Sequence, residues 1–311
     1  MEYIRDNLEY RIDVPTAITL GKFDGLHRGH ELLMKTLFAE SKKRACQTMV
    51  FTFDIPPRRQ VYETEARVLT TNEEKRLIFE KTGVDYLFEC PFTPEIMRME
   101  PAAFIRWLVE AFSARVIVVG RDFHFGHNRA GDYRVLMEYA DNFGYEVVVV
   151  EKMREDGRDI SSTFVREELL AGRIGRANRL LGYHFFVQST VIHGSHFGRT
   201  IGIPTINMEF PPEKLLPPNG VYVSAVHVGE KTFMGVTNVG CKPTVADSGK
   251  IGVETHVIGM EENLYDRCLT VDFLQFIRPE KKFASVEALR AQMEQDIAYT
   301  IKYYKNITEN G

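Results

Sequence analysis

Between residues 17 and 182 short apolar runs alternate with stretches of helical periodicity, and after Tyr183 that alternation stops. In the first part, strand-sized runs fall at residues 17–21, 49–53, 86–90, 115–120 and 145–151. The stretches between them carry helix punctuation. Thr71 and Glu74 have capping-box spacing at the head of residues 71–81. Pro101 suits the first turn of residues 101–112, and Gly144 is placed to stop a helix over residues 132–143. Strands separated by helices need crossover connections, which are right-handed and produce a parallel sheet covered on both faces.

The second part has a different grammar. Runs at residues 184–193, 220–228, 232–238, 252–258 and 269–277 follow one another with Gly and Pro between them and no room for crossover helices. That pattern predicts an antiparallel barrel or sandwich. Residues 285–304 then read as a closing helix, with Val286, Leu289, Met293, Ile297 and Ile301 forming a core-facing stripe. The fold class is therefore α/β plus all-β. The boundary lies in or just after the helical stretch 160–182, giving domains of residues 1–183 and 184–311, and no Gly/Ser-rich linker separates them.

Composition sets limits on function. A chain of 311 residues is comfortable for two domains, and 44% hydrophobic with 26% charged residues is ordinary globular material. A net charge of −4 gives no broad electrostatic case for nucleic acid or an anionic membrane. Residues 1–13 are charged and lack an apolar signal core. No apolar run approaches the roughly 20 residues that span a bilayer. Cys46, Cys90, Cys241 and Cys268 stand far apart with no CxxC pair, which argues against a disulfide framework or a thiolate zinc site. A reducing, cytoplasmic setting is expected; oligomeric state is left open.

The turn after the first strand-sized run reads GKFDGLHRGH, residues 21–30. In an open α/β sheet, ligands bind beyond the carboxyl ends of the strands, where helix N-termini present free N–H groups. Glycines let the backbone approach phosphate oxygens, and the helix dipole favours negative charge. His27 and His30 straddle the helix start and can reach the same side. Three readings compete: structural turn histidines, a zinc site completed by His124 and His127, and a phosphate brace. Zinc needs three or four ligands, and no HExxH-type pairing occurs. RDFHFGHNRAG, residues 121–131, instead carries two arginines suited to phosphate, so the phosphate brace is favoured. In ISSTFVR, residues 160–166, Ser161, Ser162 and Thr163 offer hydroxyls at a helix start and Arg166 a phosphate-binding fork. Taken alone, such a Ser/Thr cluster is also an ordinary cap.

GKFDGLHRGH resembles the FDGxHxGH form of the nucleotidyltransferase signature, whose family transfers AMP or CMP from a nucleoside triphosphate. The Phe-Asp-Gly before the histidines is similar to the flavin-adenylylating branch, and residues 118–131 and 160–166 agree in order. The resemblance implies attack of the FMN phosphate on the α-phosphorus of ATP with loss of pyrophosphate and no nucleophilic residue. His27 and His30 would be donors to the non-bridging oxygens, where charge gathers. Gly21, Phe23, Asp24, Gly25 and Gly29, with Ser161, Ser162, Thr163 and Arg166, would shape the ATP phosphate pocket.

The β-rich half carries HGSHFGRTIGIPTIN, residues 193–207. Gly194, Gly198, Arg199 and the Pro-Thr-x-Asn turn suggest a second phosphate-handling surface, although turn chemistry alone accounts for the glycines and proline. The string is similar to the riboflavin kinase pattern G-R-x-x-G-x-P-T-A-N. NGVYVSAV, TNVGCKPT and VETHVIGMEENLY follow in that family's order. The resemblance implies that Thr205 and Asn207 help hold Mg²⁺ and the ATP phosphates, since Mg²⁺ needs few protein oxygens. It implies that Glu254 is the base for riboflavin's terminal ribityl hydroxyl. His256, two residues along, shares that face of the strand without an assigned role.

Both halves together resemble the bifunctional prokaryotic riboflavin kinase/FAD synthetase family over nearly the whole chain. This implies a Rossmann-like adenylyltransferase domain, then a six-stranded flavokinase barrel with a closing helix, acting on ATP, riboflavin and FMN. Two narrower readings stand beside it: a kinase-only chain, and a flavin- or nucleotide-binding regulator without turnover. The His27/His30 pair and Glu254 speak against the regulator. The chain also departs from the pattern. Ile55 and Pro56 stand where the family commonly has proline and histidine, His124 replaces the arginine of DFRFG, and Ile206 replaces the alanine of PTAN. Proline cannot donate a hydrogen bond, and His124 exchanges a permanent charge for a conditional one.

Overall fold

The computed structural model describes residues 1–54, 67–194, 197–210, 213–241 and 251–310. The chain divides into two compact units, Met1–Ser162 and Thr163–Gly311.

The first unit is built on six parallel strands, β1 (Glu2–Arg5), β2 (Thr16–Leu20), β3 (Gln47–Phe53), β4 (Tyr86–Cys90), β5 (Ala114–Gly120) and β8 (Glu146–Val150). Small hairpins, β6 (His124–Phe125) with β7 (Gly131–Asp132) and β9 (Arg154–Glu155) with β10 (Arg158–Asp159), decorate the loops. Sheet order is β1-β4-β3-β2-β5-β8. The chain thus winds one way from β2 through β3 to β4 and the other way through β5 and β8. The switch falls between the carboxyl ends of β2 and β5, the crevice where open α/β sheets bind ligands.

Helices follow the punctuation read in the sequence. α1 (Arg28–Arg44) packs against β2, β3 and β5. α2 (Asn72–Glu80) has Thr71 as N-cap, with a complete capping box to Glu74. After the short α3 (Pro94–Arg98), α4 (Pro101–Phe112) starts with proline, and α5 (Tyr133–Phe143) is capped by Asp132 and stopped by Gly144 in the left-handed region. Phe104, Ile105 and Leu108 of α4 and Leu136 of α5 join Ile18, Met49, Phe51 and Phe88 in one core cluster. Every residue of β2 is buried, as a central strand covered on both faces requires. β1 was not expected. It is an edge strand on which Ile4 alone is buried, so it carries no apolar run.

The second unit contains α6 (Ser162–Leu170) from Thr163 onward, and α7 (Ile174–Leu181). It then closes a barrel in the order β11-β12-β15-β14-β13-β16. These strands are β11 (Phe186–Ile192), β12 (Ile206–Met208), β13 (Gly220–Val228), β14 (Lys231–Cys241), β15 (Ile251–Val257) and β16 (Cys268–Arg278), every pair antiparallel. A single turn of helix, α8 (Phe197–Thr200), precedes β12. The interior carries a buried hydroxyl chain: Thr237 donates to Ser224 Oγ at 2.7 Å and lies 2.9 Å from Thr255 Oγ1. Paired in this way, the hydroxyls avoid the cost of burial without partners. Outside, α9 (Val286–Asn310) covers β13 and β14, with Tyr303 and Tyr304 on Val223, Ala225 and Leu274. Arg278 grips the buried carboxylate of Asp296 at 2.7–3.1 Å and fixes α9 to the end of β16. Asn178 of α7 donates to the Phe273 carbonyl and accepts from the Phe185 N–H, tying that helix to the same unit.

Candidate active sites

The first site sits at the switch point. Past Leu20 the chain turns at Gly21, whose N–H donates to the Phe51 carbonyl at 3.1 Å. Phe23, Gly25 and Leu26 then take φ values of 48°, 80° and 33°, a sharp reversal ahead of α1. A Cβ on Gly21 would lie 3.0 Å from the Phe23 ring. That ring is fully buried, edge-on to Phe79, and 5.1 Å from His30. Asp24 braces the turn: Oδ1 accepts from the N–H groups of Leu69 and Thr70 at 2.7 and 3.3 Å. Thr70 Oγ1 accepts from Gly25 N–H, and Ser162 Oγ donates to the Asp24 carbonyl at 2.7 Å.

His27 is the N-cap of α1, yet its side chain makes no capping bond. Its ring stacks on His30 instead, centroids 3.9 Å apart and 22° between planes, and a Cβ on Gly29 would crowd it at 3.1 Å. Nδ1 of each imidazole is buried without a hydrogen-bond partner among the described residues. Burial lowers the His27 pKa to about 4, against the opposing pull of Asp122. Burial, then the cationic forms of His27 and Lys75, hold His30 well below the ordinary histidine value. Both rings are therefore neutral at pH 7. The N–H groups of Arg28 and Gly29 precede the first intrahelical bond of α1. Together these groups form an anion-receptive shelf made of neutral donors and a helix N-terminus.

The second site lies where β12 meets β15. Asn207 stands directly opposite Glu254, and Glu254 directly opposite Asn238 on β14, so the three share one face. Val253, Thr255 and Val257 are buried in alternation, which leaves Glu254 and His256 on the outer, partly exposed face. Asn207 is itself buried, and its Oδ1 has no partner among the described residues. The loop before it is shaped by close approach. A Cβ on Gly194 would stand 2.3 Å from Asn207 Nδ2, and one on Gly198 would stand 2.4 Å from the Ile203 carbonyl and 3.3 Å from Thr205 Oγ1. Arg199 extends over the Tyr265 ring at 5.7 Å, and that ring stacks on His193 at 3.9 Å. Arg199, Thr205, Ile206 and Tyr265 line a common cleft.

Comparison with known proteins identifies both halves. Residues 10–164 match the FAD synthetase family model and residues 181–304 the riboflavin kinase model. A bifunctional riboflavin kinase/FMN adenylyltransferase from Listeria monocytogenes is 33% identical over 299 residues, 96% of this chain and 95% of that one. One from Escherichia coli is 36% identical over 285 residues, 90% of each chain. The chain belongs to the bifunctional riboflavin kinase/FMN adenylyltransferase family. Among solved structures, a Streptococcus pneumoniae protein described as a macrolide-efflux protein superposes with a TM-score of 0.87 at 27% identity, covering 96% of this chain and 98% of that one. No helix among the described residues is long and apolar enough to cross a membrane.

In this member of the family, Gly21, Phe23, Asp24, Gly25, His27, Gly29 and His30 form one turn, with Ser162 bonded to it. Ser161 precedes α6; Thr163 and Arg166 lie on that helix and belong to the second unit. Gly194, Gly198, Arg199, Thr205, Asn207 and Glu254 lie along the loop into β12 and across from it on β15. The departures fall differently. Ile55 and Pro56 lie outside the described residues. His124 Nδ1–H donates to the Asp122 carbonyl at 2.8 Å, and His127 lies 3.4 Å from Glu100. Among the described residues no group of three or more His, Cys, Asp or Glu side chains is disposed to hold a metal ion. Ile206 pairs with Thr255 in the β12–β15 ladder.

Two site neighbours were missed in the sequence. Asn238 flanks Glu254, and its only signal was its place in TNVG. Lys75 is a buried cation on α2 that bonds Thr52 Oγ1 at 3.3 Å and the Phe53 carbonyl at 3.5 Å, with its pKa lowered by burial. In the sequence it looks like any solvated helix lysine.

Proposed function

We propose that the chain phosphorylates riboflavin with ATP to FMN on its barrel, residues 184–311, and converts FMN and ATP to FAD and pyrophosphate in residues 1–183. The observation that carries this reading is the presence of both constellations in one chain: the stacked His27/His30 pair at the switch point, and Glu254 across from a buried Asn207.

In phosphoryl transfer, Glu254 accepts the proton of the terminal ribityl hydroxyl. That oxygen bonds to the γ-phosphorus as the bond to the β–γ bridging oxygen breaks, and ADP leaves. Arg199 and the loop around Gly194 and Gly198 receive the ATP phosphates. Thr205 and Asn207 would hold Mg²⁺; a buried amide oxygen with no partner among the described residues suits a hard cation that keeps most of its waters. The ion, when bound, neutralises charge on the phosphates.

In adenylyl transfer, an FMN phosphate oxygen bonds to the α-phosphorus and the bond to the α–β bridging oxygen breaks, releasing pyrophosphate. His27, His30 and the head of α1 donate hydrogen bonds to the oxygens where charge develops. Asp24 and Ser162 hold the turn in shape. No residue forms a covalent intermediate. A reducing cytoplasmic setting accords with Cys46, Cys90 and Cys268 being free. The partners are the small-molecule substrates, with no nucleic acid and no membrane.

Paired substitutions test the division of labour. Glu254→Gln is expected to cut FMN formation at least 100-fold, an order-of-magnitude figure for loss of a general base, while FAD still forms from supplied FMN. His30→Ala is expected to do the reverse. Equal loss of both reactions in either variant contradicts separate sites.

A further inference from the structure

The β12–β15 ladder ends at the pair Ile206–Thr255. One step further, Thr205 would stand opposite His256, and beyond it lies Pro204, which has no N–H to give. Backbone pairing therefore stops just where Thr205 has to be placed. At this point the imidazole of His256 takes over: its Nδ1–H donates to the Pro204 carbonyl at 2.8 Å.

We propose that His256 is a positioning residue for riboflavin phosphorylation, setting Thr205 through the Pro204 carbonyl. The inference rests on the assignment of Thr205 and Glu254 to the phosphoryl-transfer site. The Pro204 ring fixes φ and leaves ψ as the soft torsion of that residue. Pro204 C=O and Thr205 N–H lie in one rigid peptide plane. Anchoring the oxygen fixes ψ, and with it the peptide plane from which Thr205 continues. From the other side the loop is pressed onto Gly198, where a Cβ would lie 2.4 Å from the Ile203 carbonyl and 3.3 Å from Thr205 Oγ1. β15 thus carries Glu254 and, two residues on, the clamp that aligns the phosphate-side hydroxyl with it. A shift of the base relative to the loop is prevented by one strand holding both. The imidazole proton sits on Nδ1 because the carbonyl can only accept.

The test uses the full chain and compares His256→Ala, His256→Asn and Thr205→Ala, with His256→Ala also placed in the Thr205→Ala background. An asparagine amide carries an N–H donor at a reach similar to Nδ1; alanine carries none. For riboflavin phosphorylation, His256→Ala should lower kcat roughly tenfold to 100-fold, the scale expected for misplacing a group at the reacting centre. His256→Asn should recover kcat to within about threefold of the parent chain on the same reasoning. FAD formation from supplied FMN serves as the folding control and should be unchanged in both. In the Thr205→Ala background the His256→Ala loss should shrink to near nothing, because the effect passes through Thr205. Independent, multiplying losses would overturn the proposal, as would asparagine no better than alanine, or an unchanged kcat in His256→Ala. If Thr205→Ala itself phosphorylates riboflavin normally, the site assignment fails, a result distinct from failure of the His256 role.

Discussion

Two stacked imidazoles whose buried Nδ1 atoms have no partner among the described residues are stable together when both are uncharged, and this governs how the first site behaves with pH. In the unfolded chain His27 takes up a proton near pH 6.5, whereas in the fold it does so near 4. The unfolded state therefore binds more protons between these values, and stability falls as pH falls through that window. The gap corresponds to about 3 kcal/mol once both states are protonated. Chemical denaturation at pH 7 and pH 5 is expected to show a loss of about 2 kcal/mol from this residue that is absent in His27→Asn. Identical pH dependence in the two proteins would contradict the burial account. If the triphosphate binds at this turn as proposed, its negative charge favours the protonated rings, and ATP should reduce the loss.

At the level of elements, the loop into β12 is held by contacts that tolerate no side chain. Gly194→Ala would drive a Cβ to 2.3 Å from the Asn207 amide, and Asn207 is locked in register against Glu254. The amide must move. Riboflavin phosphorylation is expected to fall at least tenfold, on the scale of a misplaced reacting group, with FAD formation from FMN retained; parent-level phosphorylation in Gly194→Ala would contradict the packing. β12 also shows why one strand of the barrel was hidden in the sequence although Thr205 and Asn207 were not. It has three residues, too few for an alternation to register, and its strand character comes from pairing with β11 and β15. By contrast β4, α4 and β13 coincide with the expected ranges 86–90, 101–112 and 220–228, because their apolar patterns and caps are local.

Across the whole molecule the same distinction holds. The α/β and all-β halves were legible because alternation and its loss are visible along the chain. The glycine turn at residues 21–30 was legible because its seven named residues are contiguous or nearly so. Lys75, Asn238 and the His256–Pro204 bond were not, since each depends on which distant strand or helix packs alongside. The neutrality of His27 and His30 also needed three dimensions, being set by burial rather than by residue type. One chain that places Glu254 opposite a buried amide in one unit, and two stacked neutral imidazoles at a sheet switch point in the other, should carry riboflavin through two successive transfers. Incubation with riboflavin, ATP and Mg²⁺, with the flavins resolved chromatographically over time, tests this directly. FMN is expected to rise first and FAD to follow, with one pyrophosphate released per FAD; FMN persisting as the end product, or riboflavin left unchanged, would contradict the two-transfer reading.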